Sequence, residues 1–276
     1  MGTPATVAEL IQRLEAWAPP QWQESWDNCG WQVEPGVLDH PARVLVCLTP
    51  TLAVLEEAVE LRRQGIEINL ILAHHPLIFS PLKSVTQGDS VGQMVYQAIT
   101  QGIGIYSAHT NFDQVDGGTA DTLATLLHLQ DTAPVVPTQP GVGYGRVGTL
   151  PSALPLRDLL AKVQHALAPP RLLYSPAADL QSSIQRLAVL GGSGASFLGA
   201  VAKTQAQAYL TADCKFHQFQ EARDRGVILI DAGHYATERP ACAAWVNWVK
   251  DQGVAWAKLS QRDEDFRQFV DAAADS

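Results

Sequence analysis

Short apolar runs alternate with amphipathic stretches along this chain. Val7–Trp17 sets apolar residues at helical spacing, with Thr6 as N-cap and Pro19 and Pro20 as the stop. Residues 43–48 form a β-type run. Residues 51–64 return to helical spacing through Leu52, Leu55, Ala58, Val59 and Leu61, with Thr49 or Thr51 as cap and Gly65 as stop. Residues 68–73 are apolar except for Asn69 and read as a buried strand. Strand, helix and strand make a βαβ unit, so these strands should be parallel and their connection right-handed. Ser90–Gln101 is the next predicted helix, closed by Gly102, followed by a strand over 103–108 and a helix over 120–129.

Residues 131–145 hold three prolines and three glycines with little periodicity, which makes them the best internal boundary. Beyond them the pattern predicts a strand over 145–150, a helix over Leu156–Leu167 and a strand over 186–190. A Gly-rich turn, 191–196, leads to a helix near 197–205. Such a turn can hold an anion, but Phe197 stands where the third glycine of GxGxxG would fall, so a close-packing turn is the preferred reading. Ala208–Thr211 is a short strand, and residues 227–230 are the last clear one. Thr237 then caps a helix running to Lys250, with Pro240 in its first turn. The segment 24–33, rich in turn formers, reads as a loop with Trp anchors, in preference to a loop that packs beside the site. The tail after Arg262, acidic and small, is expected to fray in part.

The chemistry collects at strand ends. The run over 68–73 enters His74, His75 and Pro76, and Pro76 cannot donate to a sheet ladder, so the strand should stop at the histidines. Open α/β sheets bind ligands at the carboxyl ends of their strands. Adjacent side chains diverge on an extended strand, so the pair serves one site only if the chain turns at Pro76; otherwise it serves two neighbouring ions. His109 and Asp113 follow the strand over 103–108, and His234 and Glu238 follow the strand over 227–230. Imidazoles and carboxylates suit zinc, iron, manganese or cobalt. A carboxylate can bridge two ions, which can share an attacking hydroxide. One strand-end histidine is ordinarily a hydrogen-bonded loop residue; six candidate donors at three strand ends favour a metal site. The competing reading is histidine acid–base chemistry without metal. His40, His128 and His165 read as structural or exposed, and His217 is ambiguous. There is no G-x-S-x-G elbow and no Walker loop.

Composition narrows the field. The 276 residues are 46% apolar, enough for one large domain or two small ones. With 28 acidic against 19 basic residues the net charge is −9, which disfavours a broad phosphate-binding surface and hence nucleic acid as partner. No apolar run approaches the ~20 residues of a spanning helix, so no membrane association and a cytoplasmic location are expected. Cys29, Cys47, Cys214 and Cys242 have no CxxC spacing and read as ordinary thiols.

Four segments carry a resemblance: Glu24-Ser25-Trp26-Asp27-Asn28-Cys29-Gly30, His74-His75-Pro76-Leu77-Ile78-Phe79, His109-Thr110-Asn111-Phe112-Asp113 and Gly233-His234-Tyr235-Ala236-Thr237-Glu238. In this order they resemble the NIF-three-like proteins, often labelled GTP cyclohydrolase 1 type 2 homologues, and the likeness spans nearly the whole chain. It implies an α/β fold of two interlinked halves with mixed, largely parallel sheets and helices packed on them. The first half would cover 1–130, completed by 240–276, and the second 131–239, with no inserted domain. It implies two divalent ions per chain (zinc, iron or manganese) held by His74, His75, Asp113, His234 and a bridging Glu238, with His109 near the ions rather than on them. It also implies a toroidal homohexamer. The chain departs from the family pattern at Leu48-Thr49, where many members have Asp, and at Thr211-Ala212-Asp213, where members often read Thr-Gly-Asp or Thr-Gly-Glu. The expected function is a metal-dependent hydrolase of an unknown small molecule, possibly resembling a GTP cyclohydrolase, with Arg146, Lys215 and Arg239 as candidate phosphate contacts. The alternative is a protein that holds or delivers metal without catalysis.

Overall fold

The computed structural model describes residues 3–176 and 179–270; residues 271–276 of the expected frayed tail lie outside the described residues. In chain order the elements are α1 (Val7–Trp17), β1 (Gly30–Val33), β2 (Arg43–Cys47), α2 (Leu52–Arg63), β3 (Leu70–Ala73), α3 (Ser90–Gln101), β4 (Gly104–Ser107) and α4 (Thr119–Leu126). Then come β5 (Gln130–Ala133), β6 (Val136–Gln139), β7 (Val142–Tyr144), β8 (Arg146–Pro155), α5 (Leu156–Leu167), β9 (Leu173–Tyr174) and β10 (Ser183–Val189). The chain continues through α6 (Leu198–Lys203), β11 (Ala208–Thr211), α7 (Phe216–Asp224), β12 (Ile228–Asp231), α8 (His234–Asp251) and β13 (Trp256–Leu259). It is a mixed α/β fold with two compact units. One comprises residues 1–122, 137–144 and 239–263, and the other 123–136, 145–238 and 264–276. Both α4 and α8 begin in one unit and end in the other.

The first unit is built on a five-stranded sheet, β1-β4-β3-β2-β13. Its four central and edge strands β4, β3, β2 and β13 are parallel, and only β1 runs antiparallel. The reason is local: β2, α2 and β3 are a βαβ unit, and Thr51 caps α2 by accepting from Val54 N. Leu70, Ile71, Leu72 and Ala73 are all fully buried, because a strand covered on both faces has no solvent side on which to alternate. At ~1.5–3 kcal/mol for each large side chain removed from water, this short strand anchors the sheet centre. On α1, Thr6 and Glu9 form a capping box, and Val7, Leu10, Ile11 and Leu14 face inward.

The second unit carries a six-stranded sheet, β5-β8-β10-β11-β12-β9. Here β10, β11 and β12 are parallel, β8 and β9 run antiparallel to them at either side, and β5 pairs antiparallel with β8. Its core joins Leu156, Leu159 and Val163 of α5 to Leu187, Val189, Leu210 and Ile230 of the strands.

Several elements differ from the pattern's prediction. Residues 131–145, expected to be irregular, supply most of β5 and all of β6 and β7; β5 and β6 are largely exposed and β7 is only three residues long, so none has an apolar alternation to reveal it. The loop expected over 24–33 ends in β1, paired to β4 with a register shift at Trp31/Val33. The strand β13 follows the one expected to be last; its partner β2 lies over two hundred residues earlier, so local pattern carries little of its signal. Thr237 does not cap α8, which starts at His234, and its hydroxyl instead donates back to the Gly233 and His234 carbonyls inside the first turn. The chain just after Arg262 is packed rather than frayed: Asp263 is buried and ion-paired to Arg239 at 2.9 Å. Among the described residues no helix is long and apolar enough to cross a membrane.

Candidate metal centre

Parallel pairing brings three strand ends of the first unit together. Cys47 is in register with Ala73, and Ala73 with Ser107. The ladder continues one step further: His74 N donates to Cys47 O at 3.2 Å, His75 N to Leu48 O at 2.8 Å, and Ala108 N to Ala73 O at 3.1 Å. Residues 48–49, 74–75 and 108–109 therefore leave the sheet side by side. The His74 and His75 rings, expected to diverge, lie 5.3 Å apart, and His109 sits 5.1 Å from His74 and 5.5 Å from His75 between ring centroids. One nitrogen from each of the three falls within 4.8 Å of the others, a spacing that can hold a metal ion. Asp113 joins this group, with Oδ1 3.6 Å from His74 Nε2, and accepts a hydrogen bond from Thr119 Oγ1 at 2.6 Å.

Each of these imidazoles is held by its Nδ1. His74 Nδ1 lies 3.0 Å from Ala108 O, His75 Nδ1 2.8 Å from Thr49 Oγ1, and His109 Nδ1 2.9 Å from Asp27 Oδ1. A carbonyl or carboxylate partner requires the proton on Nδ1, which leaves the Nε2 lone pair for a metal. Asp27 lies in a segment whose composition reads as a loop with Trp anchors, and neither that reading nor the family resemblance assigned it a partner. Its buried carboxylate also accepts from Thr110 N, Thr110 Oγ1 and Asn28 N. Burial opposes that charge, but the His109 and Thr110 hydrogen bonds prevail and hold the carboxyl below its ordinary range. The visible signal was an acidic residue amid Trp26, Asn28 and Cys29, with no basic neighbour to pair it. Burial pushes the nearby Cys29 thiol up to about 12, so it is a neutral donor to Asn111 Oδ1 at 3.0 Å rather than a thiolate ligand.

Thr49 is itself fixed from behind. Asp263 accepts from Leu48 N at 2.7 Å and Thr49 N at 3.3 Å while paired to Arg239. Burial nevertheless raises the Asp263 carboxyl above its ordinary range. Arg239 is thus committed to this support, and its Nη2 donates to Ser260 O. Arg146 is buried and donates to Gly145 O. Neither resembles a phosphate contact.

In the second unit, the early start of α8 puts His234 and Glu238 at i and i+4 on one helix face. His234 Nε2 and Glu238 Oε2 are 2.9 Å apart, and His234 Nδ1 lies 2.6 Å from Asp213 Oδ2. Burial alone would lower the His234 pKa, but the Glu238 charge and hydrogen bonds to both carboxylates lift it to about 10. The Gly-rich turn packs against this pair. Gly192 adopts φ +63°, and a Cβ there would stand 2.0 Å from Glu238 Oε1. Its N–H donates to Thr237 Oγ1, and that of Gly194 to Thr211 Oγ1, both at 3.0 Å. With these donors committed to the protein, the turn is a close-packing one. His217 is exposed on the first turn of α7, and His40, His128 and His165 are exposed as well.

The donor chemistry fits a divalent metal. Imidazoles and carboxylates are the ligands of zinc, iron and manganese sites, and rings anchored through the second nitrogen are how proteins orient such ligands. Thr49, in one of the two stretches where the chain departs from the resembling family's pattern, pairs with His75, and Asp213, the acidic residue that the other stretch keeps after Ala212, pairs with His234.

Comparison with known proteins agrees with this reading of the segments. Residues 5–261 match the family Duf34/NIF3 (NGG1p interacting factor 3). A GTP cyclohydrolase 1 type 2 homolog of Nostoc sp. is 64% identical over 263 residues, covering 95% of this chain and 98% of that protein. The protein NIF3 homolog of Schizosaccharomyces pombe is 30% identical, covering 84% of each. Among solved structures, a Bacillus cereus protein related to NIF3 superposes with a TM-score of 0.86 at 22% identity, over 98% of this chain and all of that one. Reduced HcgD from Methanocaldococcus jannaschii gives 0.78 at 26% identity, over 94% and 99%. The chain therefore belongs to the Duf34/NIF3 family.

Proposed function

We propose that this protein binds two divalent metal ions per chain and uses them to hydrolyse a small molecule. The ligands are His74, His75, Asp113, His234 and Glu238, with Glu238 bridging and His109 beside the ions. The observation that carries this reading is the anchoring of Nδ1 on His74, His75, His109 and His234, an arrangement that orients imidazoles as metal ligands. Ions bound there would supply Lewis acidity and an activated water at neutral pH. The protein's own part is to hold the His74, His109 and His234 rings in one tautomer through Ala108 O, Asp27 and Asp213, and to orient the His75 ring through the Thr49 hydroxyl. His109, backed by the buried Asp27, would orient a polar group of the substrate. The relatives' label supports a GTP cyclohydrolase-like substrate only as a starting point, since a shared fold and site do not fix the substrate. Family resemblance also supports a toroidal homohexamer, with a cytoplasmic location as part of this proposal; the net charge of −9 disfavours a nucleic-acid partner, and no described helix is long and apolar enough to cross a membrane.

The test is elemental analysis of the purified protein beside a His75→Ala/Glu238→Ala variant, followed by a broad hydrolase screen. About two metals per chain, lost in the variant, together with turnover of a nucleotide, phosphoester or amide, is the expected result. Stable metal without turnover of any substrate would leave the metal-holding or delivery role. No metal after incubation with zinc, manganese or iron would end both.

A further inference from the structure

We propose that Asp213 is a positioning residue for the metal ligand His234, and that Arg267, from the segment after β13, holds it there. This rests on the metal-binding reading above and adds to it a pair of residues outside the ligand set.

Three observations carry it. Asp213 Oδ2 lies 2.6 Å from His234 Nδ1, while Glu238 meets the opposite ring nitrogen. Asp213 is one of five non-glycine residues with left-handed backbone among the described residues, at φ +54°. Aspartate adopts that conformation more readily than most residues with a Cβ, and such conformations cluster at functional sites. The third is a chain of charge behind the carboxylate. Arg267 Nη1 lies 3.3 Å from Asp213 Oδ1, and Arg267 is itself fixed by Asp265, with Nε 3.0 Å from Oδ1 and Nη2 3.2 Å from Oδ2.

The surroundings are shaped to admit this chain. A Cβ on Gly233, next to His234, would stand 3.1 Å from Arg267 Nη2, so a glycine there leaves the guanidinium its place. Asp231 ties both loops down by accepting from Cys214 N at 2.8 Å and Gly233 N at 2.9 Å. One Asp213 oxygen thus faces the ring and the other faces Arg267. The carboxylate cannot rotate without losing one partner. It keeps the proton on His234 Nδ1 and presents Nε2, with Glu238, to the ion. An outer carboxylate of this kind raises the basicity of the ligand it holds.

The experiment measures zinc affinity by chelator competition for the full-length wild type, Asp213→Ala, Asp213→Asn and Arg267→Gln. A long-range 1H–15N spectrum of each zinc-loaded protein reports the His234 tautomer. Asp213→Ala should weaken zinc by about 10- to 100-fold and lose the Nδ1–H signal. Asp213→Asn tolerates the left-handed backbone and keeps a neutral acceptor, so it should recover part of the affinity and retain the signal. Arg267→Gln should show a smaller loss in the same direction and stands in if Asp213→Ala does not fold. Affinity and tautomer unchanged from wild type in Asp213→Ala, or in Arg267→Gln where Asp213→Ala does not fold, would overturn the assignment while leaving the metal site intact. A wild type that takes up no zinc would instead remove the metal reading and this inference together.

Discussion

At the scale of single residues, the metal candidates are held more tightly than their exposure suggests. Gly192 shows the constraint from the backbone side. A methyl group there would strike Glu238 Oε1, and the left-handed φ adds its own penalty. Gly192→Ala should therefore destabilise the fold by about 1–2 kcal/mol from backbone strain and displace Glu238. Denaturant unfolding and metal content check the two parts, and full metal retention would contradict the second. His234 makes the site pH-sensitive. Its pKa in the folded, metal-free protein is about 10, above the ordinary 6.5. The protonated ring between Glu238 and Asp213 therefore stabilises the metal-free fold fully below the unfolded value, and that stability is lost as pH rises through about 10. Metal requires the neutral ring, so zinc affinity should climb with pH across the same window, with proton release on binding. Calorimetry in buffers of different ionisation enthalpy reads that proton directly. Asp27 works in the opposite sense. Its carboxyl is held below the ordinary range, so its contribution is present above the unfolded value and disappears as pH falls through the folded one.

At the scale of elements, β3 and α8 do most of the placing. The strand is short, fully buried and in register with both neighbours, so its carboxyl end delivers His74 and His75 without freedom to slide. A one-residue slip would exchange the two faces. Ile71→Ala should cost about 2–5 kcal/mol in chemical denaturation, as a large-to-small change in a packed core. The Arg239–Asp263 pair illustrates how a support sits one layer behind a ligand. Asp263→Ala removes the acceptor for Leu48 N and Thr49 N and strands a partly buried guanidinium. Breaking a buried pair typically costs about 3–5 kcal/mol, and the lost grip on Thr49 should also weaken metal retention at His75. Unaltered stability in that variant would show that water replaces the carboxylate.

At the scale of the whole molecule, the long parallel pairings and the return of residues 239–263 to the first unit mean that neither unit is one continuous stretch of chain. Within the first unit, β13 must find β2 across most of the sequence. Such pairings pay loop-closure entropy before they gain contacts, so refolding of β13 should lag that of the local β2-α2-β3 unit. Pulse-labelled hydrogen exchange would reveal early protection in β3 and late protection in β13; simultaneous protection would refute the order.

The sequence by itself determined the elements whose evidence is local. Periodicity marked α1, α3 and α5 to their ends, with Thr6 capping the first and Gly102 closing the second, and a nearly unbroken apolar run marked β3. The placing of His74, His75, His109, His234 and their carboxylates just beyond strand ends was legible for the same reason: apolar runs stop where polar donors begin. Tertiary structure decided what depends on distant partners. The edge strands β1 and β13 are strands because a neighbour supplies their hydrogen bonds, and β5, β6 and β7 carry too little apolar alternation to announce themselves. It also decided which residues stand behind the histidines. Asp27, Thr49 and Asp213 reach an imidazole nitrogen from 82, 26 and 21 positions away along the chain. A hydrogen bond made across such a separation leaves no periodic trace in sequence. It exists only once the sheet has brought its strand ends together.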